Sequence, residues 1–129
     1  MKKSEPMSES YYYILLCLSK GPNHGYGIMQ MTKTLSEGDV TIGSGTMYGA
    51  TSNMMKKGWI EEVVSNEPGI ERKRLYCLTT SGREALTAEI NRLRRMLANT
   101  EGASLPAKEY DVILTVSSAT TTFSSSRPA

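Results

Sequence analysis

Two short runs of strand composition around a Pro-Gly loop sit inside an otherwise helical chain, and this limits the folds open to it. Residues 59–64 read Trp-Ile-Glu-Glu-Val-Val, and residues 72–78 read Arg-Lys-Arg-Leu-Tyr-Cys-Leu. Between them, Ser65-Asn66-Glu67-Pro68-Gly69-Ile70-Glu71 is dense in turn formers, so the two runs predict a hairpin. Three helical patterns precede it. Residues 8–19 carry apolar side chains at helical spacing (Tyr11, Ile14, Leu15, Leu18), with Ser8 as N-cap and Glu9 in the first turn. Gly21-Pro22 stops that helix. Residues 24–37 follow, with Asn23 as cap and Tyr26, Ile28, Met29, Met31 and Leu35 as the apolar positions. Gly25 and Gly27 weaken this helix by roughly 1 kcal/mol each, and such small residues permit close approach of a neighbour. Residues 45–57 form the third pattern, with Ser44 as N-cap, Gly58 as C-cap and an inner stripe of Met47, Ala50, Met54 and Met55. Tyr48, Thr51, Ser52, Lys56 and Lys57 fall largely on the opposite side.

After the hairpin, residues 81–99 predict a last helix capped by Thr79 or Thr80. Its apolar residues Leu86, Ile90, Leu93 and Leu97 are spaced 4, 3, 4, the seam of a short coiled coil. The expected fold is therefore mainly α with a small β-hairpin wing: a winged helix-turn-helix followed by a C-terminal dimerisation helix. The division that follows is residues 1–80 for the winged helix-turn-helix, 81–101 for the dimerisation helix and 102–129 for a poorly ordered or non-native tail. In that tail, residues 110–116 have strand composition, and nine of the 15 residues from Thr115 to Ala129 are Ser or Thr, a low-complexity composition.

At 129 residues the chain suits one domain with a modest core. Its longest apolar run, residues 11–18, is too short to cross a membrane, and its first ten residues lack the apolar stretch of a secretory signal, so a cytoplasmic protein is expected. Cys17 and Cys77 sit in apolar stretches and read as small core residues rather than a disulfide. The lone His24 lacks the partners that a metal site or nucleophilic triad needs and reads as a helix-start residue. The methionines read most simply as core, and Trp59 as hairpin core. Paired carboxylates in an apolar setting, a glycine-rich phosphate loop and a metal cluster are all missing from the pattern, so neither an enzyme nor a cofactor is expected.

Three motifs, in order and correctly spaced, give the chain a family resemblance. They are Gly21-Pro22-Asn23-His24-Gly25-Tyr26-Gly27-Ile28; Gly45-Thr46-Met47-Tyr48 with Gly58-Trp59-Ile60 after it; and Arg72-Lys73-Arg74-Leu75-Tyr76-Cys77-Leu78-Thr79-Thr80-Ser81-Gly82. Together they resemble the PadR family of transcription regulators. They match its Gly-Pro-x-His-Gly-Tyr-x-Ile segment, its Gly-Thr-Leu-Tyr helix start with a Gly-Leu-Ile exit, and its basic wing strand leading to Thr-x-x-Gly. The chain departs from the family in carrying Gly43-Ser44 for the usual Ser-Pro, and Gly49 where a Pro usually follows the Tyr. The resemblance implies a dimeric repressor of promoter DNA that responds to a small aromatic effector, with the first helix also packing against the partner's last helix.

A major groove admits one helix, which reads base edges with its outer side chains. The expected contact set on the third helix is Ser44, Thr46, Tyr48, Thr51 and Ser52, with Lys56 and Lys57 on the phosphate backbone. The wing adds Arg72, Lys73 and Arg74, of which Arg72 and Arg74 share one strand face. The expected dimer interface is Tyr11, Ile14, Leu86, Ile90, Leu93 and Leu97. Net charge is only +2, and residues 24–80 hold six basic and six acidic side chains. That balance predicts a modest affinity per subunit, with few phosphates neutralised. It also keeps a second reading open: a winged-helix protein-interaction module that binds no DNA.

Overall fold

The structure, a computed structural model, describes residues 5–64 and 74–103. The loop between the strands, Arg72 and Lys73, and the predicted tail from residue 104 onward lie outside the described residues. The chain separates into two compact units, Met1–Ala98 and Asn99–Ala129. Of the second, residues 99–103 are described, and they form a turn in which the Ala103 N–H donates to the Thr100 carbonyl (3.0 Å).

The first unit runs α1 (Glu9–Ser19), α2 (Gly25–Leu35), α3 (Ser44–Lys56), β1 (Ile60–Val64), β2 (Arg74–Leu78) and α4 (Thr80–Ala98). This is the mainly α architecture with a hairpin that the sequence predicts. Ser8 caps α1 as expected, its hydroxyl accepting the Tyr11 N–H at 3.2 Å. Two other caps differ from expectation. α2 is capped by His24, whose Nδ1 accepts the Gly27 N–H at 3.1 Å. Asn23 instead accepts the His24 N–H on Oδ1 (2.9 Å), and it leaves no space for a Cβ at Gly27. Gly27 is thus small because of a side chain one turn back rather than a neighbouring helix. α3 begins one residue early: Gly43 is its N-cap, without a side-chain bond, and Ser44 is already helical because Met47 N–H reaches the Gly43 carbonyl (2.9 Å). α2 ends at Leu35, where Glu37 and Gly38 turn left-handed (φ 54° and 85°) and Gly38 N–H closes back on the Lys33 carbonyl (2.8 Å).

The hairpin is antiparallel, registered from Ile60 opposite Leu78 to Val64 opposite Arg74. Asn23 adds a one-residue bridge to β2: Tyr76 N–H donates to the Asn23 carbonyl (2.8 Å) and Asn23 N–H to that of Tyr76 (3.2 Å). The turn between α1 and α2 is thereby fixed to the wing. One core joins the four helices and β1, with Tyr76 and Leu78 of β2 packed against it: Ile14, Leu15, Cys17 and Leu18 of α1, Ile28 of α2, Ile42, then Met47, Ala50 and Met54 of α3, Ile60 of β1 and Leu86 of α4. Met29, Met31 and Met55 pack against it half-buried, as does Trp59. Cys17 is buried against the Ile28 carbonyl and the Thr32 hydroxyl, and burial pushes its thiol pKa up, which suits an inert core residue. Cys77 is only half-buried.

The start of α4 is clasped to the end of α3. The Thr79 hydroxyl accepts the Gly82 N–H (3.0 Å) and donates to the Gly58 carbonyl (2.6 Å), while Thr79 N–H donates to the Trp59 carbonyl (3.0 Å). Gly82 lies so close to that same carbonyl that a Cβ would overlap it. The Thr-x-x-Gly pattern is therefore a cap followed by a backbone contact.

Glu89, one turn past Leu86, is almost fully buried. Arg92, itself half-buried, meets it with two bonds, Nε to Oε1 (2.9 Å) and Nη2 to Oε2 (2.7 Å). The guanidinium, helped by the Met7 backbone, holds the Glu89 carboxyl below its ordinary pKa although burial pushes the other way. A carboxyl with a depressed folded-state pKa contributes stability above its unfolded value of about 4.3, and that contribution is lost as pH falls through the folded value. Glu89→Gln is expected to lose stability at neutral pH and to flatten the acid limb, measured as the urea midpoint against pH.

Candidate nucleic-acid interface

α3 presents two unlike faces. Met47, Ala50, Thr51 and Met54 follow helical spacing and are buried. The opposite row, Gly45, Tyr48, Gly49, Ser52 and Lys56, also follows helical spacing and faces outward, with Ser52 half-exposed and the others exposed. Ser44 and Thr46 are exposed beside it at the helix start, and a Cβ at Gly45 or Gly49 would meet nothing within 4 Å. Tyr48 is 73% exposed, so its ring stands away from the protein body.

Thr51 does not belong to this face. It is 2% exposed, and its hydroxyl donates to the Met47 carbonyl (2.9 Å) and lies 3.2 Å from that of Tyr48. A threonine hydroxyl satisfied by the preceding turn is tolerated in a core, and position 51 lies on the Met47–Met54 stripe. Lys56 and Lys57 are both exposed at the far end, but Lys57 sets its ammonium over the Trp59 ring, 5.2 Å from the centroid. Asn53, absent from the predicted set, sits on the edge of the outward row and donates to the Tyr11 hydroxyl (2.8 Å).

On the wing, Arg74 is exposed and its Nε lies 3.2 Å from Glu62 on β1. An ion pair this open to water is worth little, so Arg74 can exchange Glu62 for another anion. Arg72 and Lys73 lie outside the described residues.

The predicted dimer residues divide. Ile14 is wholly buried and Leu86 nearly so, both inside this chain's own core, so neither can meet a second copy. Tyr11 and Ile90 are half-buried against the same core. Leu93 and Leu97 are exposed, and Met96, which the coiled-coil spacing passes over, joins them. Every residue of α4 from Leu93 onward is exposed, and the helix changes from core element to projecting arm at that point.

A cleft of about 690 Å³ lies between the segment leading into α1, the end of α3 and the first half of α4. Met7, Tyr11, Trp59 and Ala88 line it, together with Asn53, Lys57 and Glu89. Among the described residues no group of three or more His, Cys, Asp and Glu side chains is placed to hold a metal, and no helix is long and apolar enough to cross a membrane.

Three helices around one core, a hairpin beside the third of them and an uncovered outer row on that helix define a winged helix-turn-helix protein. The sequence model of the transcriptional regulator PadR-like family matches residues 14–88, more than half of the chain, and the chain belongs to that family, one of regulators rather than enzymes. The resemblance carried by the three motifs is thereby established. Among solved structures the chain is similar to a PadR family transcription regulator of Clostridium difficile (26% identity, TM-score 0.62, covering 72% of this chain and 95% of that one). It is also similar in fold to Bacillus subtilis PadR, solved in complex with operator DNA (20% identity, TM-score 0.55, covering 84% and 58%). Among curated proteins it is 29% identical over 99 residues to an uncharacterized 37.1 kDa protein of a Streptomyces fradiae transposon. The match covers 77% of this chain and 27% of that protein, so the chain spans about a quarter of the length of the curated relative.

Proposed function

We propose that this protein is a dimeric, sequence-specific DNA-binding repressor in the cytoplasm, with α3 in the major groove and the wing on the adjacent minor groove. The observation that carries the reading is the uncovered row on α3. Gly45, Gly49 and Ser52 are small enough to let the helix backbone approach a groove, Tyr48 projects from it, and Lys56 ends it. The operator complex of Bacillus subtilis PadR supports the same use of this fold. The contacting set becomes Ser44, Thr46, Tyr48, Ser52, Lys56 and Lys57, with Arg72, Lys73 and Arg74 from the wing. The second copy docks on Leu93, Met96 and Leu97, and Tyr11 and Ile90 border that contact. A small aromatic effector fits the cleft beside Trp59 and Tyr11, where an occupant would touch both α3 and α4.

The test is a salt titration of binding to random duplex and to fragments selected from genomic DNA by the purified protein. Each neutralised phosphate adds roughly −0.9 to the slope of log affinity against log salt, so a shallow but definite slope is expected. Absence of binding to either DNA sinks the proposal and leaves the protein-interaction module. Within the titration, Arg74→Ala should reduce the slope by about 1 per subunit. Glu62→Gln should strengthen binding to all duplexes, because it frees Arg74 from its carboxylate and removes a negative charge. Equal affinity of both variants and the wild type would take the wing off the DNA.

A further inference from the structure

The sequence marks Tyr26 as an apolar position of α2, but it is 64% exposed, and it is not among the side chains packed on the core. Its hydroxyl accepts a hydrogen bond from Gln30 Nε2, one turn on, at 2.7 Å. That bond occupies the phenol oxygen and orients it, while the phenol proton remains available for donation; among the described residues no acceptor takes it. A Cβ added at Gly25, the residue before, would lie 3.9 Å from Met47 Cγ, so the first turn of α2 lies near the first turn of α3. The next residue on each helix, Tyr26 and Tyr48, is exposed.

We propose that Tyr26, oriented by Gln30, is a phosphate-binding residue of the DNA complex, a contact made by α2 in addition to those of α3 and the wing. The inference rests on the DNA-binding reading above. In a helix-turn-helix the helix before the recognition helix crosses the sugar-phosphate backbone, so an exposed donor at its start faces phosphate oxygens rather than base edges. A neutral hydroxyl held as a donor suits that acceptor, and Gln30 is a positioning residue that acts only through it.

The experiment measures the affinity of full-length Tyr26→Phe, Gln30→Met and the double variant for random duplex and for selected genomic fragments, across salt. Tyr26→Phe removes one oxygen from an exposed side chain, so the thermal midpoint should not move. Affinity should fall about tenfold for both DNAs, as for loss of a hydrogen bond to a charged group. The salt slope should stay at the wild-type value, because a neutral donor releases no counterion. Gln30→Met should cost part of that loss alone and nothing more in the Tyr26→Phe background. Wild-type affinity in Tyr26→Phe overturns the assignment, as does a loss confined to one sequence, which would mean base contact. A further loss in the double variant removes the positioning role of Gln30. If wild-type protein binds no duplex at all, the DNA-binding reading itself has failed, and the phosphate site with it.

Discussion

Leu93→Glu is expected to give a monomer that keeps its fold and loses most of its affinity for operator DNA. Leu93 is exposed on the projecting half of α4, with Met96 and Leu97 beside it, and makes no part of the chain's own core. A carboxylate there costs the monomer little, but in a dimer it is buried against apolar side chains without a partner, a cost of several kcal/mol. Two linked recognition helices gain roughly 10²–10⁴ in avidity over one, and the variant forfeits that gain. Binding of a single half-site at low salt should survive, since α3 and the wing are untouched. Sedimentation of the free protein, with operator titrations beside it, reads both effects. A variant that remains dimeric would place the interface elsewhere. Leu86→Glu differs in kind: Leu86 is buried in the core, so that substitution should unfold the chain, and loss of dimer there carries no information about the interface.

Gly82→Ala should destabilise the fold by about 2 kcal/mol or more, although alanine is the better helix former by roughly 1 kcal/mol. The added methyl overlaps the Trp59 carbonyl, a backbone atom that already accepts the Thr79 N–H and cannot swing aside as a side chain would. Relief requires the start of α4 to move off the end of α3. The thermal midpoint should then fall by about 10 °C, given roughly 4–8 °C per kcal/mol in a domain of this size. Trp59 is the only tryptophan, so its fluorescence reports on the site directly. Gly49→Ala is the matched control. A Cβ there meets nothing, so helix propensity alone acts and stability should rise by up to about 1 kcal/mol. A Gly82→Ala protein as stable as the wild type would show that the clasp between α3 and α4 yields easily.

The order of elements was legible in the sequence because each element is specified locally. Ser8 and Thr79 cap their helices from adjacent residues, and Gly58, with φ 77°, ends α3 by its own backbone freedom. The turn formers between the strands predict the hairpin in the same way. Family membership was legible too, since Gly-Pro-x-His-Gly-Tyr and Thr-x-x-Gly are local strings. The structure gives physical reasons for several of their members: His24 caps α2, Gly27 makes room for Asn23, and Gly82 makes room for the Trp59 carbonyl.

Tertiary packing decided which side of a helix is which. Thr51 is polar by type, yet the stripe of Met47, Ala50 and Met54 carries it inward, where the preceding turn satisfies its hydroxyl. Tyr26 and Leu35 are apolar by type, yet α2 leaves both exposed because Ile28 and Thr32 occupy the face that meets α1 and the core. The 4, 3, 4 spacing of Leu86, Ile90, Leu93 and Leu97 is correct as a helical stripe, but spacing does not state what covers it. The first two positions pack in or against this chain's core and the last two are exposed. Glu89 and Arg92 are charged by type, yet Glu89 is nearly buried and Arg92 only 19% exposed, and they hold each other, with the Met7 backbone bonding Glu89 from the segment before α1. Local sequence fixes caps, turns and periodicity through contacts a few residues long. Burial depends on which other element lies against a face, and that is settled only when distant segments pack together.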